Sequence, residues 1–269
     1  MAPLTGRYVS KLVGTNVLIL GGTSGIGFAV AQAVVEYGAN VVVSSSQQRN
    51  IDTTLARLRE EYPNSSTDQI RGYTCDLSDA ENLEKNIDSL LQKAANGGKI
   101  NHIVYTATDP VKVTPTSEFT VESLNKSGLF RLTAPVILAK LLPRYVDLSV
   151  TNSFTLTGGK STYKPPPGGT NISIWGSAVE GLAKGLALEL KPLRVNLVAP
   201  GPVKTRLLET FADDNMGGNV DALYDALKND TLGGFVAEPS DVAEAYIYLM
   251  KDRFATGTVI HNNGGVFLI

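Results

Sequence analysis

Short apolar runs of strand length alternate with longer helical patterns along nearly the whole chain of 269 residues. The predicted strands cover 16–20, 40–46, 70–76, 101–107, 149–157, 194–200 and 257–263. The predicted helices cover 26–37, 52–62, 81–95, 121–142 and 172–190, with Gly38 and Pro143 ending two of them. Because several strands are apolar without interruption, both faces of their sheet must be covered. The pattern therefore predicts an α/β fold, a doubly wound parallel sheet of the Rossmann type, in a single domain over 1–269.

Composition and charge narrow the possible partners. The net charge is only −2 with acids and bases scattered, so neither a nucleic-acid nor a membrane partner is expected. Cys75 is the only cysteine, and the N-terminal residues lack the apolar core of a secretory signal, so we expect a cytoplasmic protein. The only two histidines lie far apart in the sequence, and we expect no metal site.

A glycine-rich segment, GGTSGIG, follows the first predicted strand and opens the first predicted helix. Glycine lets the backbone approach a pyrophosphate closely, and a helix N-terminus supplies free N–H groups and a positive dipole. This position between strand and helix is the context of a dinucleotide-binding loop. The predicted contacts are Gly21, Thr23, Ser24, Gly25, Ile26 and Gly27.

The residues after the second strand bear on which nucleotide is bound. An NAD site would place an acid here to bind the ribose 2′-hydroxyl, and none is present. Ser44, Ser45, Ser46 and Arg49 instead suit a 2′-phosphate, because arginine pairs with its oxygens. We therefore predict NADP as the cofactor, against the alternative that this stretch is only a polar turn.

With further motifs in place, the chain resembles the short-chain dehydrogenase/reductase superfamily over nearly its whole length. Besides the glycine loop, the matching segments are Asp76-Leu77, YTAT (105–108), PGPVKT (200–205) and TGTVIHNNGG (256–265). The resemblance implies that Asp76 and Leu77 hold the adenine, that Ala107 contacts the cofactor, and that Pro200, Val203 and Thr205 hold the nicotinamide carboxamide.

The catalytic residues of that family do not carry over. Its tyrosine falls at Ile172 and its lysine at Gly176, its serine falls at Gly158 or Gly159, and its asparagine falls at Arg131. Losing a general acid typically costs about 10²–10⁴ in rate, so alcohol/ketone interconversion is disfavoured.

Four residues are the candidates for catalysis. Arg131 is predicted to face the cofactor and replace the lost lysine, although it could be a surface arginine. Trp175, the only tryptophan, could stack on an aromatic or cationic substrate or simply pack in the core. Tyr163 and Lys164 are the nearest titratable candidates, unless they are solvent-exposed.

The segment 206–235 is predicted to be a substrate lid. Its apolar residues would suit a bulky, apolar small molecule, and ordinary core packing is the alternative. They are Leu207, Leu208, Phe211, Met216 and Tyr224.

Two kinds of reaction need a cofactor pocket but no proton donor. One is hydride transfer to a substrate that is already cationic, such as an iminium ion, and the other is a cyclisation on a structural NADP. The segment TLTGGKSTYKPPPGG is similar to a divergent fungal branch that includes reductase/Diels–Alderases of indole-alkaloid pathways, although Gly168 or Gly169 replaces that branch's acidic residue. We therefore predict an NADP(H)-dependent reductase of secondary metabolism that acts on an iminium-type substrate and can steer a cyclisation. The alternatives are a non-redox cyclase and a catalytically dead homologue, and the resemblance implies a homo-oligomer, a dimer or a tetramer.

Overall fold

The computed structural model describes residues 6–110 and 113–269, without the side chains of 215 and 216. The strands are β1 (Asn16–Leu20), β2 (Asn40–Ser45), β3 (Ile70–Thr74), β4 (His102–Tyr105), β5 (Ser153–Thr157), β6 (Arg194–Val198) and β7 (Val259–Ile260). The helices are α1 (Gly25–Glu36), α2 (Gln48–Glu61), α3 (Leu83–Ala95), α4 (Val121–Gly128), α5 (Ala134–Tyr145), α6 (Thr170–Glu189), α7 (Arg206–Met216), α8 (Val220–Asn229) and α9 (Pro239–Lys251).

The seven described strands form one parallel sheet in the order β3-β2-β1-β4-β5-β6-β7. The chain reverses its direction of winding between β1 and β4, where Leu20 pairs with Tyr105. At such a switch point the loops after the two strands diverge and leave a crevice at their carboxyl ends. The prediction of a doubly wound Rossmann-type sheet is confirmed.

The apolar runs are long because both faces of the sheet are buried. In β1, Leu18 and Leu20 belong to a core cluster with α3, α5 and α6, whereas Val17 and Ile19 belong to a second cluster with α1 and α9. Alternate side chains of a strand point to opposite faces, so one five-residue strand contributes to both helical layers.

The predicted helix 121–142 is not a single regular α-helix. A π-helical turn, Leu129–Thr133, directly follows α4 and directly precedes α5, so the chain stays helical throughout. Ending the helix at Pro143 was wrong, because α5 continues to Tyr145. The next amide, Val146 N, still donates to the Leu142 carbonyl at 2.8 Å, so proline removes one hydrogen bond without stopping the helix.

Other boundaries also differ from the predicted ones. β5 begins at Ser153 rather than 149, because Asn152 N donates to Ser149 O and closes a turn before the strand. β7 contains only Val259–Ile260, since the glycine-rich residues that follow turn away from the sheet.

A buried arginine fixes β6 to the end of α9. The Arg194 side chain donates from Nε to Val150 O at 2.7 Å, from Nη1 to Leu249 O at 2.5 Å and from Nη2 to Met250 O at 3.0 Å. Carbonyl oxygens thus satisfy a charge in the core. Within 6–110 and 113–269, no helix combines the length and apolar character needed to cross a membrane.

Candidate active site

The glycine loop between β1 and α1 leaves no room for side chains. Gly21 has φ +83°, and a Cβ there would lie 2.7 Å from the backbone nitrogen of Ala107. A Cβ on Gly27 would press on the Gly21 carbonyl and lie 2.5 Å from Thr106 Oγ1. The first β–α turn is therefore held close against the end of β4.

The N-terminus of α1 is free to bind an anion. Ser24 is the N-cap residue but makes no capping hydrogen bond with its side chain, and the first turn contains no acidic residue. The amides at the start of a helix lack intrahelical partners, and the helix dipole adds positive potential. This end of the site fits the pyrophosphate of a dinucleotide.

The serines at the end of β2 lie beside this loop. Ser44 is buried and its carbonyl accepts a 3.0 Å hydrogen bond from Gly21 N, while Ser45 Oγ contacts Asn50 Nδ2 at 3.5 Å. Ser46 and Arg49 are exposed, and Arg49 is in the first turn of α2, which has no acidic residue. Hydroxyls, a cation and a helix N-terminus converge here, which suits a phosphate better than a bare hydroxyl.

Asp76 and Leu77 lie after β3, as the resemblance requires. Asp76 Oδ1 accepts hydrogen bonds from Ser78 N at 2.8 Å and from Ser78 Oγ at 2.6 Å, which fixes the carboxylate. Leu77 is buried and can form an apolar wall for a base.

The segment PGPVKT meets the glycine loop from the other side. Thr205 caps α7, and its methyl carbon would lie 3.1 Å from a Cβ on Gly25. Pro200 O accepts a 3.0 Å hydrogen bond from Lys160 N, and Val203 is buried. The residues assigned to the pyrophosphate and to the nicotinamide carboxamide are thus adjacent.

The positions that the resemblance assigns to the family's tyrosine and lysine are Ile172 and Gly176. Ile172 lines a cavity and has no proton to give. A Cβ on Gly176 would overlap Thr162 Oγ1 and come within 3.2 Å of Thr162 Cβ. The Thr162 side chain therefore occupies the space that the first atoms of a lysine side chain at 176 would need. A Cβ on Gly158 would lie 3.0 Å from a methyl carbon of Leu197, whereas a Cβ on Gly159 would meet nothing within 4 Å.

The cavity at this place has a volume of about 210 Å³ and lies between the β4–α4 loop, α4, the π-helical turn and the start of α6. Arg131 lines it and forms an ion pair with Asp109 through Nη1, with a second bond from Nη2 to Asp109 O at 3.3 Å. Desolvation raises the pKa of the Asp109 carboxyl, and the charge of Arg131 opposes that rise.

Asp109 is a site residue that sequence reasoning missed. It lies four residues beyond the end of β4, at the sheet's switch point, where the carboxyl ends of strands form binding sites. The available signal was this position, because Asp109 directly follows the YTAT segment, residues 105–108.

Trp175 also lines the cavity. Its ring packs against α4, since a Cβ on Gly128 would lie 2.7 Å from the ring edge. The cavity therefore has an aromatic wall beside an ion pair, and it also contains Lys126 and the apolar Phe119 and Leu124.

Tyr163 and Lys164 lie outside this cavity lining. The Tyr163 hydroxyl donates to the Glu180 carboxylate, and its ring packs against His261 and Phe267 at centroid distances of 5.0 and 5.2 Å. Burial and then the Glu180 carboxylate raise the pKa of Tyr163 to about 12. Lys164 Nζ donates to Val266 O at 3.3 Å and to Ile269 O at 2.8 Å. Both side chains thus hold the last residues of the chain against the proline-rich loop.

The predicted lid 206–235 contains two helices, α7 and α8, separated by Gly217, which has φ +60° and ends α7. Leu223, in α8, is buried. The predicted lid residues Leu207, Leu208, Phe211 and Tyr224 are half-buried, and the side chain of Met216 lies outside the described residues.

The geometry defines a Rossmann-type protein with a glycine loop that fits a dinucleotide and a separate cavity lined by Asp109, Arg131 and Trp175. The model of the "SDR-like rossmann domain" family matches residues 8–269. The chain belongs to the short-chain dehydrogenase/reductase family, and the fold of that family implies a nicotinamide cofactor.

Relatives from fungi share the whole length of the chain. The short-chain dehydrogenase/reductase malC of Malbranchea aurantiaca is 44% identical over 268 residues, covering 100% of both chains. The short-chain dehydrogenase/reductase fsr5 of Gibberella fujikuroi is 36% identical over 268 residues, covering 98% of each. A solved structure described as MalC reductase/Diels-Alderase from Malbranchea aurantiaca superposes with a TM-score of 0.91 at 43% identity, covering 98% of this chain and 100% of that one.

Proposed function

We propose that this protein is an NADP(H)-dependent reductase of secondary metabolism that transfers hydride to a cationic, iminium-type substrate. The observation that carries the proposal is a contrast between two parts of the candidate site, the glycine loop and the start of α6. The phosphate loop fits a dinucleotide, while the tyrosine and lysine positions hold Ile172 and Gly176, with Thr162 filling the space beside Gly176.

A cationic substrate removes the need for the missing acid. When bound, NADPH would supply a hydride; the C=N electron pair of an iminium then moves to nitrogen, giving a neutral amine and NADP⁺ without a proton. A ketone oxygen would instead become an alkoxide and require one.

Asp109 is the carboxylate among the residues that line the cavity, and Arg131 and Lys126 are the cations that line it. A carboxylate in the cavity wall stabilises a nearby cation, and Trp175 offers an aromatic face for the same charge. Arg131 holds Asp109 in place and presents further N–H donors, which we assign to the nicotinamide ribose or a phosphate.

The test compares two bicyclic probes of similar size. N-methyl-3,4-dihydroisoquinolinium is a permanent iminium cation, and 1-tetralone is a neutral ketone. We expect loss of NADPH absorbance with the first and none with the second. Equal reduction of the ketone, or no reduction of either probe by protein that binds NADPH, would contradict the proposal.

Asp109→Asn is the matched variant, since it keeps the shape and removes the charge. We expect iminium turnover to fall by about tenfold to a hundredfold, the value of a charge-assisted contact. Because the pKa of Asp109 is raised, wild-type turnover should decline on acidification at a higher pH than an ordinary carboxyl would give. Asp88→Asn, on α3 at the surface, is the control.

A second candidate is a cyclase in which NADP is structural, with a catalytically dead homologue as the third reading. The cyclase reading is favoured by the relative described as a reductase/Diels-Alderase, which covers 98% of this chain. A reactive diene precursor supplied with NADP⁺ instead of NADPH separates the readings. Cyclisation at the same rate on NADP⁺ supports the cyclase, and absence of any nucleotide binding supports the dead homologue.

Assembly and location complete the proposal. By analogy with the family, α4, α5 and α6 form the contact of a dimer or tetramer, which light scattering of the purified protein would measure. We also propose a cytoplasmic location and a bulky apolar substrate under the α7–α8 lid, without a nucleic-acid or membrane partner.

A further inference from the structure

The π-helical turn between α4 and α5 leaves one backbone carbonyl without a helical partner. Ala134 N donates to Leu129 O, five residues back, which is the π spacing. On that spacing the partner of Phe130 O would be residue 135, and this residue is Pro135, which has no N–H. A buried carbonyl must find a donor elsewhere.

Proline also explains why the turn is there. In an unbroken α-helix the ring of Pro135 would press on the carbonyl of Arg131, four residues earlier. One wider turn before the proline removes that clash, and such turns occur often at functional sites. The same turn carries Arg131 into the cavity.

The missing donor comes from β4. The hydroxyl of Tyr105 donates to Phe130 O at 2.6 Å. Tyr105 is 4% exposed, and burial raises the pKa of its hydroxyl far above the ordinary value, so it stays a neutral donor. Its carbonyl accepts a 2.7 Å bond from Thr157 Oγ1, which anchors this end of β4 to β5.

This hydrogen bond joins the two segments that form the ion pair. Phe130 directly precedes Arg131, and Tyr105 precedes Asp109 by four residues. We infer that Tyr105 is a positioning residue, whose hydroxyl fixes the π-helical turn and thereby aims Arg131 at the cofactor side of the cavity. The inference rests on the proposed role of Arg131 in holding NADPH.

The test is Tyr105→Phe, which removes one oxygen and leaves the ring in place. Trp175 is the only tryptophan and packs on Gly128, next to the turn, so its emission reports the turn without any ligand. We expect acrylamide to quench Trp175 more strongly in Tyr105→Phe, and the Kd for NADPH to rise about three- to tenfold, the usual range for one hydrogen bond.

Tyr246→Phe is the matched control. Tyr246 is also fully buried, and its hydroxyl contacts Thr157 Oγ1 at 2.7 Å rather than the helix. It should lower thermal stability but leave Trp175 quenching and the NADPH Kd within about twofold of wild type. A merely structural Tyr105 would behave as this control does, and that result would overturn the inference.

The double variant Tyr105→Phe/Arg131→Ala, compared with the two single variants, forms a double-mutant cycle that measures whether the two residues act together. If Tyr105 acts through Arg131, the double variant binds NADPH no more weakly than Arg131→Ala alone, whereas an undiminished effect of Tyr105→Phe in that background would refute the inference. Failure of wild type to bind NADPH would refute the proposed function instead. Should Tyr105→Phe not fold, hydrogen–deuterium exchange of wild type decides: amides 130–134 that exchange as fast as the exposed start of α4 would also refute it.

Discussion

The two ends of the crevice are built differently. The phosphate end is made of backbone: Gly21 and Gly27 are packed so closely that any side chain would collide. The other end is made of side chains that replace one another, with Thr162 beside Gly176 and an Asp109–Arg131 pair beside Ile172. Substitutions in the glycine loop disturb the backbone and with it the binding of phosphate. Substitutions in the part built from side chains can change the chemistry of the site and leave the backbone fold unchanged.

The largest expected effect tests the backbone end. Gly27→Val would drive a side chain against the Gly21 carbonyl and Thr106 Oγ1. We expect NADPH affinity to fall by about a hundredfold in a calorimetric titration, since overpacking typically costs about 1–3 kcal/mol. Gly98→Ala, where a Cβ meets only ordinary contact at 3.5 Å, is the control and should bind normally. Normal binding by Gly27→Val would show that the glycine loop is not where the nucleotide lies.

Arg49 tests whether the backbone end recognises the 2′-phosphate through a side chain. Arg49→Ala should weaken NADPH binding by about tenfold to a hundredfold and leave NADH binding unchanged, because only NADPH carries the extra phosphate. Arg57→Ala, further along α2 in an ion pair with Glu61, should affect neither nucleotide. A parallel loss of both affinities would argue against NADP preference.

Thr162 tests the side-chain end. Relative to the Gly181→Ala control, Gly176→Ala should lose about 1–3 kcal/mol in denaturant unfolding, because its Cβ overlaps Thr162 Oγ1. Thr162→Gly should recover most of that loss in the double variant. Gly181→Ala, on the same helix with open space around it, should be neutral or stabilising. Additive losses in the double variant would mean that the two positions do not compete for space.

A pH-dependent effect tests the sheet beneath both ends. His102 is buried, its Nδ1 lies 2.9 Å from Ser153 Oγ, and burial lowers its pKa to about 3, with Arg194 adding to the shift. The folded state therefore resists protonation that the unfolded state accepts below pH about 6.5. Stability should fall by about 1.4 kcal/mol per pH unit as pH drops from 6.5 towards 3.

In His102→Asn, the free energy of unfolding should depend less steeply on pH between 6.5 and 3. When wild type is acidified, the native Trp175 emission and the binding of NADPH should be lost at the same pH. His261 is exposed beside Tyr163, and His261→Asn is the matched control. If Trp175 emission and NADPH binding were lost at different pH values, the two ends of the site would unfold independently of each other.

The same division explains how far the sequence could be interpreted. Strand and helix alternation predicts the sheet because periodicity is local, and the glycine loop is predicted because its function depends on the residues being small. The π-helical turn is not visible in this way: Pro135 suggests a break, but the donor that makes the wider turn tolerable is Tyr105, thirty residues earlier in sequence and in contact only in three dimensions.

Long-range pairing also limited the assignment of the site. Asp109 pairs with Arg131 across 22 residues, and no local pattern announces such a pair. Tyr163 and Lys164 are near the helix in sequence, but their side chains turn towards the C-terminal residues instead. Whether Arg131, Trp175, Tyr163 and Lys164 act in catalysis stays a prediction for the experiments above.

The overlap between Thr162 and any side chain at 176 has an evolutionary consequence. A lysine introduced at 176 by one substitution would meet the space that Thr162 already occupies. A lysine at this position therefore requires a smaller residue at 162 as well, so the two positions are expected to change together among relatives of this chain.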